Sequence, residues 1–159
     1  MTMQPTTKSH TEISFRTQPA PPLRVMGERI TPQVDRALGA AAFEVFEVES
    51  SEGSGPPPHG HPWAEGYVVL EGQLAVVDWS GGIEAPAEQI LGPGGSAYIP
   101  GGVVHSFQAR SERCRFTVIS TRGAHAFFSD MEETLAGATD DIETVIAVAQ
   151  RNRMVSPLF

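Results

Sequence analysis

Three histidines and a glutamate stand where one ion could be shared: His59 and His61, then Glu65, and further on His105. Imidazole nitrogens and a carboxylate oxygen are the ligand set of borderline divalent transition metals. The chain has 5 histidines in all, so most of its imidazoles belong to this group. In an extended strand alternate side chains share a face, so His59 and His61 project together, and Glu65 keeps that parity if the strand resumes after Pro62. A closed structural zinc site is the less fitting alternative, because such sites favour Cys/His sets and Cys114 is the only thiol. A second alternative is a pocket lined by histidines with no metal.

The surrounding sequence reads as strands and turns that would hold these groups. Ser50 to Pro58 is a loop with two glycines and three prolines; the prolines hold an extended, low-entropy backbone immediately before His59. Tyr67–Leu70, Glu71–Gly72 and Gln73–Val77 read as strand, tight turn, strand, the glycine being free to take positive φ. A second ligand-bearing hairpin is indicated by Ser96–Ile99, the turn Pro100–Gly102 and Val103–Phe107, with His105 opening its second strand. Phe43–Val48 and Arg115–Ser120 are further strands, and Trp79–Gly82 closes another hairpin. Leu23–Met26, after the stiff Pro19–Pro22 lead-in, predicts a short strand able to pair with a partner subunit.

After Ser120 the period changes from two to 3.6. Ala126–Leu135 predicts a short helix stopped by Gly137. A second helix carries Asp140 and Glu143 as an N-terminal cap, an apolar stripe of Ile142, Val145, Ile146 and Ala149, and Arg151 and Arg153 near its negative end. The organisation expected is a flexible segment over 1–22, a barrel over 23–122 and a helical extension over 123–159 packed on it.

Composition fits one domain. The chain has 159 residues, 40% of them hydrophobic, and a formal net charge of −8. None of its basic residues forms a block, which argues against nucleic acid as a partner. No apolar run reaches the roughly 20 residues of a membrane span, and the N-terminus lacks the apolar core of a signal peptide. A cytoplasmic protein is expected, and a single cysteine is consistent with that compartment.

The spacing of the glycines and ligands resembles the cupins. Gly53, His59, His61, Glu65 and Gly72 fill the first motif of that family, and Gly94, Pro100, Gly102 and His105 fill the second, with Ala109 where the family usually has Asn. The segments Gly55–His61 and Thr121–Asp130 are similar, more weakly, to the single-domain quercetin dioxygenase-like cupins. The resemblance implies an all-β fold, a cupin jelly-roll (double-stranded β-helix) barrel with short C-terminal helices, and a homodimer. It also implies one divalent transition metal ion (Fe, Mn, Ni, Co, Cu or Zn) held by His59, His61, Glu65 and His105.

By strand parity Tyr67 and Val69 share the inward face with Glu65, and Phe107 shares it with His105. These side chains are candidate walls of a substrate pocket, with Trp63 between the ligands as a candidate at its mouth. Tyr98 is a possible donor into the cavity; His125 reads as structural, and Cys114 as a small strand residue whose thiol Arg113 and Arg115 could activate. The function implied is a mononuclear metal-dependent dioxygenase acting on an aromatic or enolic small molecule. By analogy with flavonol dioxygenases, Glu65 is also the catalytic base. A non-catalytic sensing module and an oxygen-independent isomerase, lyase or cyclase are the other readings.

Overall fold

The computed structural model describes residues 12–40, 42–136 and 141–159. Nine strands form two sheets: β1 (Leu23–Val25), β2 (Glu28–Val34), β3 (Phe43–Ser51), β4 (Glu65–Glu71), β5 (Leu74–Asp78), β6 (Ala87–Leu91), β7 (Ser96–Ile99), β8 (His105–Ala109) and β9 (Arg113–Thr121). The larger sheet has the order β1-β2-β3-β9-β4-β7 and the smaller β6-β5-β8. Among the described residues the pairing gives two separate antiparallel ladders and no closed ring of strands. Two helices follow, α1 (Ala124–Leu135) and α2 (Ile142–Arg151). No helix is long and apolar enough to cross a membrane.

Alternation is strict where a strand has one face in the core. β3 and β9 each show every second residue buried, as a half-buried sheet requires. The inward residues of β9 are Cys114, Phe116, Val118 and Ser120, and they form successive rows across the sheet. Phe116 pairs with Val48 and Val69, Val118 with Phe46 and Tyr67, and Ser120 with Glu44 and Glu65.

The two hairpins expected around the ligands are not hairpins. β4 pairs with β7 and β9, whereas β5, directly after it, pairs with β6 and β8. Each of the turns after β4 and β7 therefore carries the chain from one sheet to the other. Local signals of strand, glycine and strand specify a reversal but not the partner. Gly72 makes the first crossing at φ 77°, and a Cβ there would lie 2.2 Å from the Arg113 carbonyl oxygen, so no other residue fits. The hairpin after Trp79 does form, joining β5 to β6.

At the N-terminal edge, β1 pairs with β2 of its own chain along one side and is the outer strand of the larger sheet. β2 was hidden in the sequence by Pro32. That proline is tolerated because it lies beyond the end of β1 and beside a bulge in the pairing with β3, the positions where a strand can lack an N–H. Arg16, within the segment expected to be loose, donates to both carboxylate oxygens of Asp35 and to the Pro32 carbonyl.

Gly123 precedes α1 without a side-chain cap. The buried Glu44 supplies one from β3, accepting from the Gly123 and His125 amides, with its charge at the positive helix end. Gly137 and Asp140 lie outside the described residues. Asp141 caps α2, accepting from the Glu143 amide. The inward stripe of α2 runs through Val148 and Ala149, whereas Ile142 is 63% exposed. Arg151 bonds Asp130 of α1, so it ties the two helices together.

Candidate metal centre

His59, His61 and His105 each offer one ring nitrogen within 4.8 Å of the others. The segment carrying His59 lies against β8: the His59 amide donates to the His105 carbonyl at 2.9 Å and the His105 amide to the His59 carbonyl at 2.8 Å. The neighbouring Gly60 is held in turn by Val155, through amide-to-carbonyl bonds of 2.7 and 2.9 Å in the two directions. A Cβ on Gly60 would sit 3.1 Å from Val155 and 3.2 Å from the Gly102 oxygen, so a side chain there would push against the C-terminal tail. Ser156 adds a bond to the Pro58 carbonyl at 2.7 Å.

The tautomers follow from local geometry. Nδ1 of His59 faces the Pro57 carbonyl at 2.9 Å, Nδ1 of His61 the Trp63 carbonyl at 2.8 Å, and Nδ1 of His105 the Val103 carbonyl at 2.9 Å. A carbonyl only accepts, so each Nδ1 carries the hydrogen and each neutral ring presents an Nε2 lone pair. Nε2 of His61 and of His105 are buried with no hydrogen-bond partner. Oε2 of Glu65 lies 3.4 Å from the first and 3.6 Å from the second. Apart from the Tyr67 hydroxyl on Oε2, the acceptors converge with no donor between them, which is the arrangement a cation fits.

Glu65 is fixed on both oxygens. Trp63 Nε1 donates to Oε1 at 3.0 Å and the Tyr67 hydroxyl to Oε2 at 2.8 Å. Burial alone would raise its carboxyl; with a proton on their Nε2 atoms, the hydrogen bonds and charge of His105 and His61 outweigh this and hold it well below the usual carboxylate range. Tyr67 is pushed well above the phenol range by burial and by the Glu65 charge, so it remains a donor. Burial, with the adjacent His105, holds His59 down at about 4; its ring stays neutral and able to ligate.

Beside the cluster lies a hollow of about 940 Å³ including its open mouth, with about 120 Å³ of void. Trp63, Tyr67 and Phe107 line it together with His59, His61 and Glu65. Val69 is elsewhere, 1% exposed in the core one row from Tyr67. Trp63 is 6% exposed rather than at the solvent edge, and its indole stacks on His61 with centroids 4.3 Å apart and planes 7° off parallel.

Three contributors were not read from the sequence: Glu28, the α1 face with Phe127 and Met131, and the tail residues Met154 and Phe159. The α1 helix was expected to pack on the barrel, but neither its place at the hollow nor that of Glu28 or the tail has a local spacing signal, because each arrives through long-range packing. Ser120, on the Glu65 row, has a buried hydroxyl without a partner.

Other candidates lie apart from the cluster. Tyr98 is 73% exposed on β7. His125 packs near Phe46, with ring centroids 6.1 Å apart. Cys114 is fully buried, and burial, then Glu28 and Glu71, push its thiol up. Arg113 and Arg115 alternate to the opposite face and pair with glutamates there, so they do not activate it. Ala109 is fully buried; its amide donates to the Ser54 carbonyl and its carbonyl accepts from Gly53. The backbone at that position thus fastens the ligand-bearing loop to β8.

The class of fold follows from the comparisons. The cupin domain family matches residues 45–120, just under half of the chain, and that stretch holds all four candidate ligands. Among solved structures, the polyketide cyclase RemF from Streptomyces resistomycificus is 26% identical, with a TM-score of 0.53 over 76% of this chain and 80% of that one. A sugar phosphate isomerase of the cupin superfamily from Silicibacter pomeroyi is 29% identical, with a TM-score of 0.51 over 62% of each chain. Oxalate decarboxylase from Bacillus subtilis shares the fold at 21% identity, with a TM-score of 0.61 over 73% of this chain and 30% of that one. No curated protein matches the sequence.

Proposed function

We propose that the protein is a mononuclear metal-dependent enzyme acting on an enolic or phenolic aromatic small molecule, with dioxygenation as the reaction. The observation that carries the metal reading is the convergence of partnerless imidazole nitrogens and the Glu65 carboxylate on one point. His59, His61, Glu65 and His105 would hold a divalent ion. A bound ion supplies Lewis-acid polarisation of a substrate oxygen and leaves room for a further ligand. Glu65 Oε2 accepts the substrate hydroxyl proton, while Trp63 and Tyr67 hold the carboxylate in place. Trp63, Phe107 and the three prolines before His59 exclude water and offer flat apolar surface to an aromatic ring.

Among the described residues no Lys or Arg lines the hollow. That absence disfavours phosphorylated substrates, so the likeness to a sugar phosphate isomerase does not extend to this pocket. The likeness to a polyketide cyclase favours a second reading, ring closure through an enolate without oxygen, using the same ligands and the same base.

Oxygen uptake separates the two. With metal restored, the protein should consume oxygen when given catecholic or enolic aromatics. Glu65→Gln at matched metal occupancy should lower turnover more than substrate affinity. Turnover that persists without oxygen would replace the dioxygenase with the cyclase, and tight binding without turnover in either atmosphere would reduce the protein to a sensing module.

A further inference from the structure

At the other end of the hollow from Glu65 stands a second carboxyl. Glu28 lines the cavity, is 5% exposed, and carries its only side-chain carboxyl or amine outside the metal cluster among the described residues. It begins β2, on the row of Ser50 and Cys114, whereas Glu65 shares the row of Ser120. Three inward steps along β9, from Cys114 to Ser120, separate those rows, roughly 20 Å of strand, with Ile30, Val48 and Val118 forming the apolar wall between.

A carboxyl buried without a cation is costly, and no ion pair of the described residues includes Glu28. Its oxygens accept one hydroxyl hydrogen bond each, from Ser50 and Ser54. Burial raises the carboxyl despite these bonds. A carboxylate has about four lone-pair sites, so two hydroxyls leave acceptor capacity for a cavity occupant.

Building on the proposed function, we propose that Glu28 is a substrate-recognition residue that accepts a hydrogen bond from a hydroxyl at the end of the substrate remote from the metal. The class of ligand is then an elongated fused-ring aromatic, oxygenated at both ends, as in polyketide-type ring systems. A site built to hold such a hydroxyl discriminates strongly against an analogue lacking it, because the buried acceptor is left unpaired.

The test uses two probes that differ only in a distal hydroxyl, 1,2-dihydroxyanthraquinone and 1,2,6-trihydroxyanthraquinone, titrated calorimetrically into the zinc-loaded full chain. Wild type should bind the trihydroxy compound at least tenfold more tightly. Glu28→Gln should reduce that ratio to below threefold while leaving the dihydroxy affinity and the metal content unchanged. If Glu28→Gln does not fold, Glu28→Asp, which withdraws the carboxyl by one methylene, is read in the same way. Equal affinities in wild type, or a ratio that survives in the variant, overturns the assignment of Glu28 alone. Failure of both probes to bind wild type overturns it together with the aromatic substrate class.

Discussion

The two ends of the hollow are built in opposite ways. At the metal end every hydrogen bond that orients a side chain is local: the His59, His61 and His105 rings are each fixed by a carbonyl two residues away, and Trp63 and Tyr67 reach Glu65 across the same interval. At the Glu28 end the side-chain contacts come from 22 and 26 residues off; the backbone of the loop before His59 is also held from afar, by the tail across 98 residues. A locally wired side chain keeps its orientation whenever its own segment forms, although the meeting of the three rings still needs the pairing of His59 with His105. A remotely wired one depends on the whole fold.

The largest effect expected is on stability. An ion that binds the folded chain and hardly the unfolded one adds roughly 2.7 kcal/mol at a hundredfold excess over its Kd, or about 5–10 °C in Tm for a chain of this size. Thermal melts of metal-loaded and chelated protein measure it. Acid should reverse the gain because ligand imidazoles must be neutral. His59 contributes even without metal. Its unfolded ring protonates near 6.5 while the folded ring, held down by burial, stays neutral to about 4, so the chelated protein should lose stability as pH falls from 6.5 towards 4. Melts unaffected by chelator and by that pH window would contradict both statements.

A smaller loss is expected from Trp63→Phe, which keeps an aromatic ring against His61 but removes the donor to Glu65 Oε1. Outer hydrogen bonds of this kind are worth roughly 10–100-fold in metal affinity, and competition with a chromophoric chelator reads it directly. Unchanged affinity would show that Tyr67 alone orients the carboxylate.

The smallest effect tests the remote wiring. Ser156→Ala removes one hydrogen bond to the Pro58 carbonyl, a contribution of about 1 kcal/mol. If the tail braces His59 and His61, metal affinity should fall with Tm. A Tm change with metal affinity intact would make the tail a plain edge strand.

The same division explains what could be read from the sequence. The His59–Glu65 spacing and the alternation of β3 and β9 are local patterns, so the three-histidine cluster with Glu65 beside it and most strands were legible in advance. The partners of β4 and β5 were not, because Gly72 signals a reversal and says nothing of which sheet receives the chain. β2 was concealed by Pro32, whose place past the end of β1 is a tertiary fact. Trp63 was visible, but its stacking on His61 and its bond to Glu65 depend on how the chain turns at Pro62. Glu28 carried no signal at all, since its neighbours Ser50 and Ser54 meet it only when β2 folds against β3.

The central claim is that His59, His61, Glu65 and His105 bind one transition-metal ion, and elemental analysis of protein purified without chelator tests it most directly. Wild type should carry close to one ion per chain, and His105→Ala, prepared alongside and shown by circular dichroism to keep its strands, should carry almost none. Metal-free wild-type protein that takes up no ion on titration, or a His105→Ala variant with full occupancy, would contradict the account.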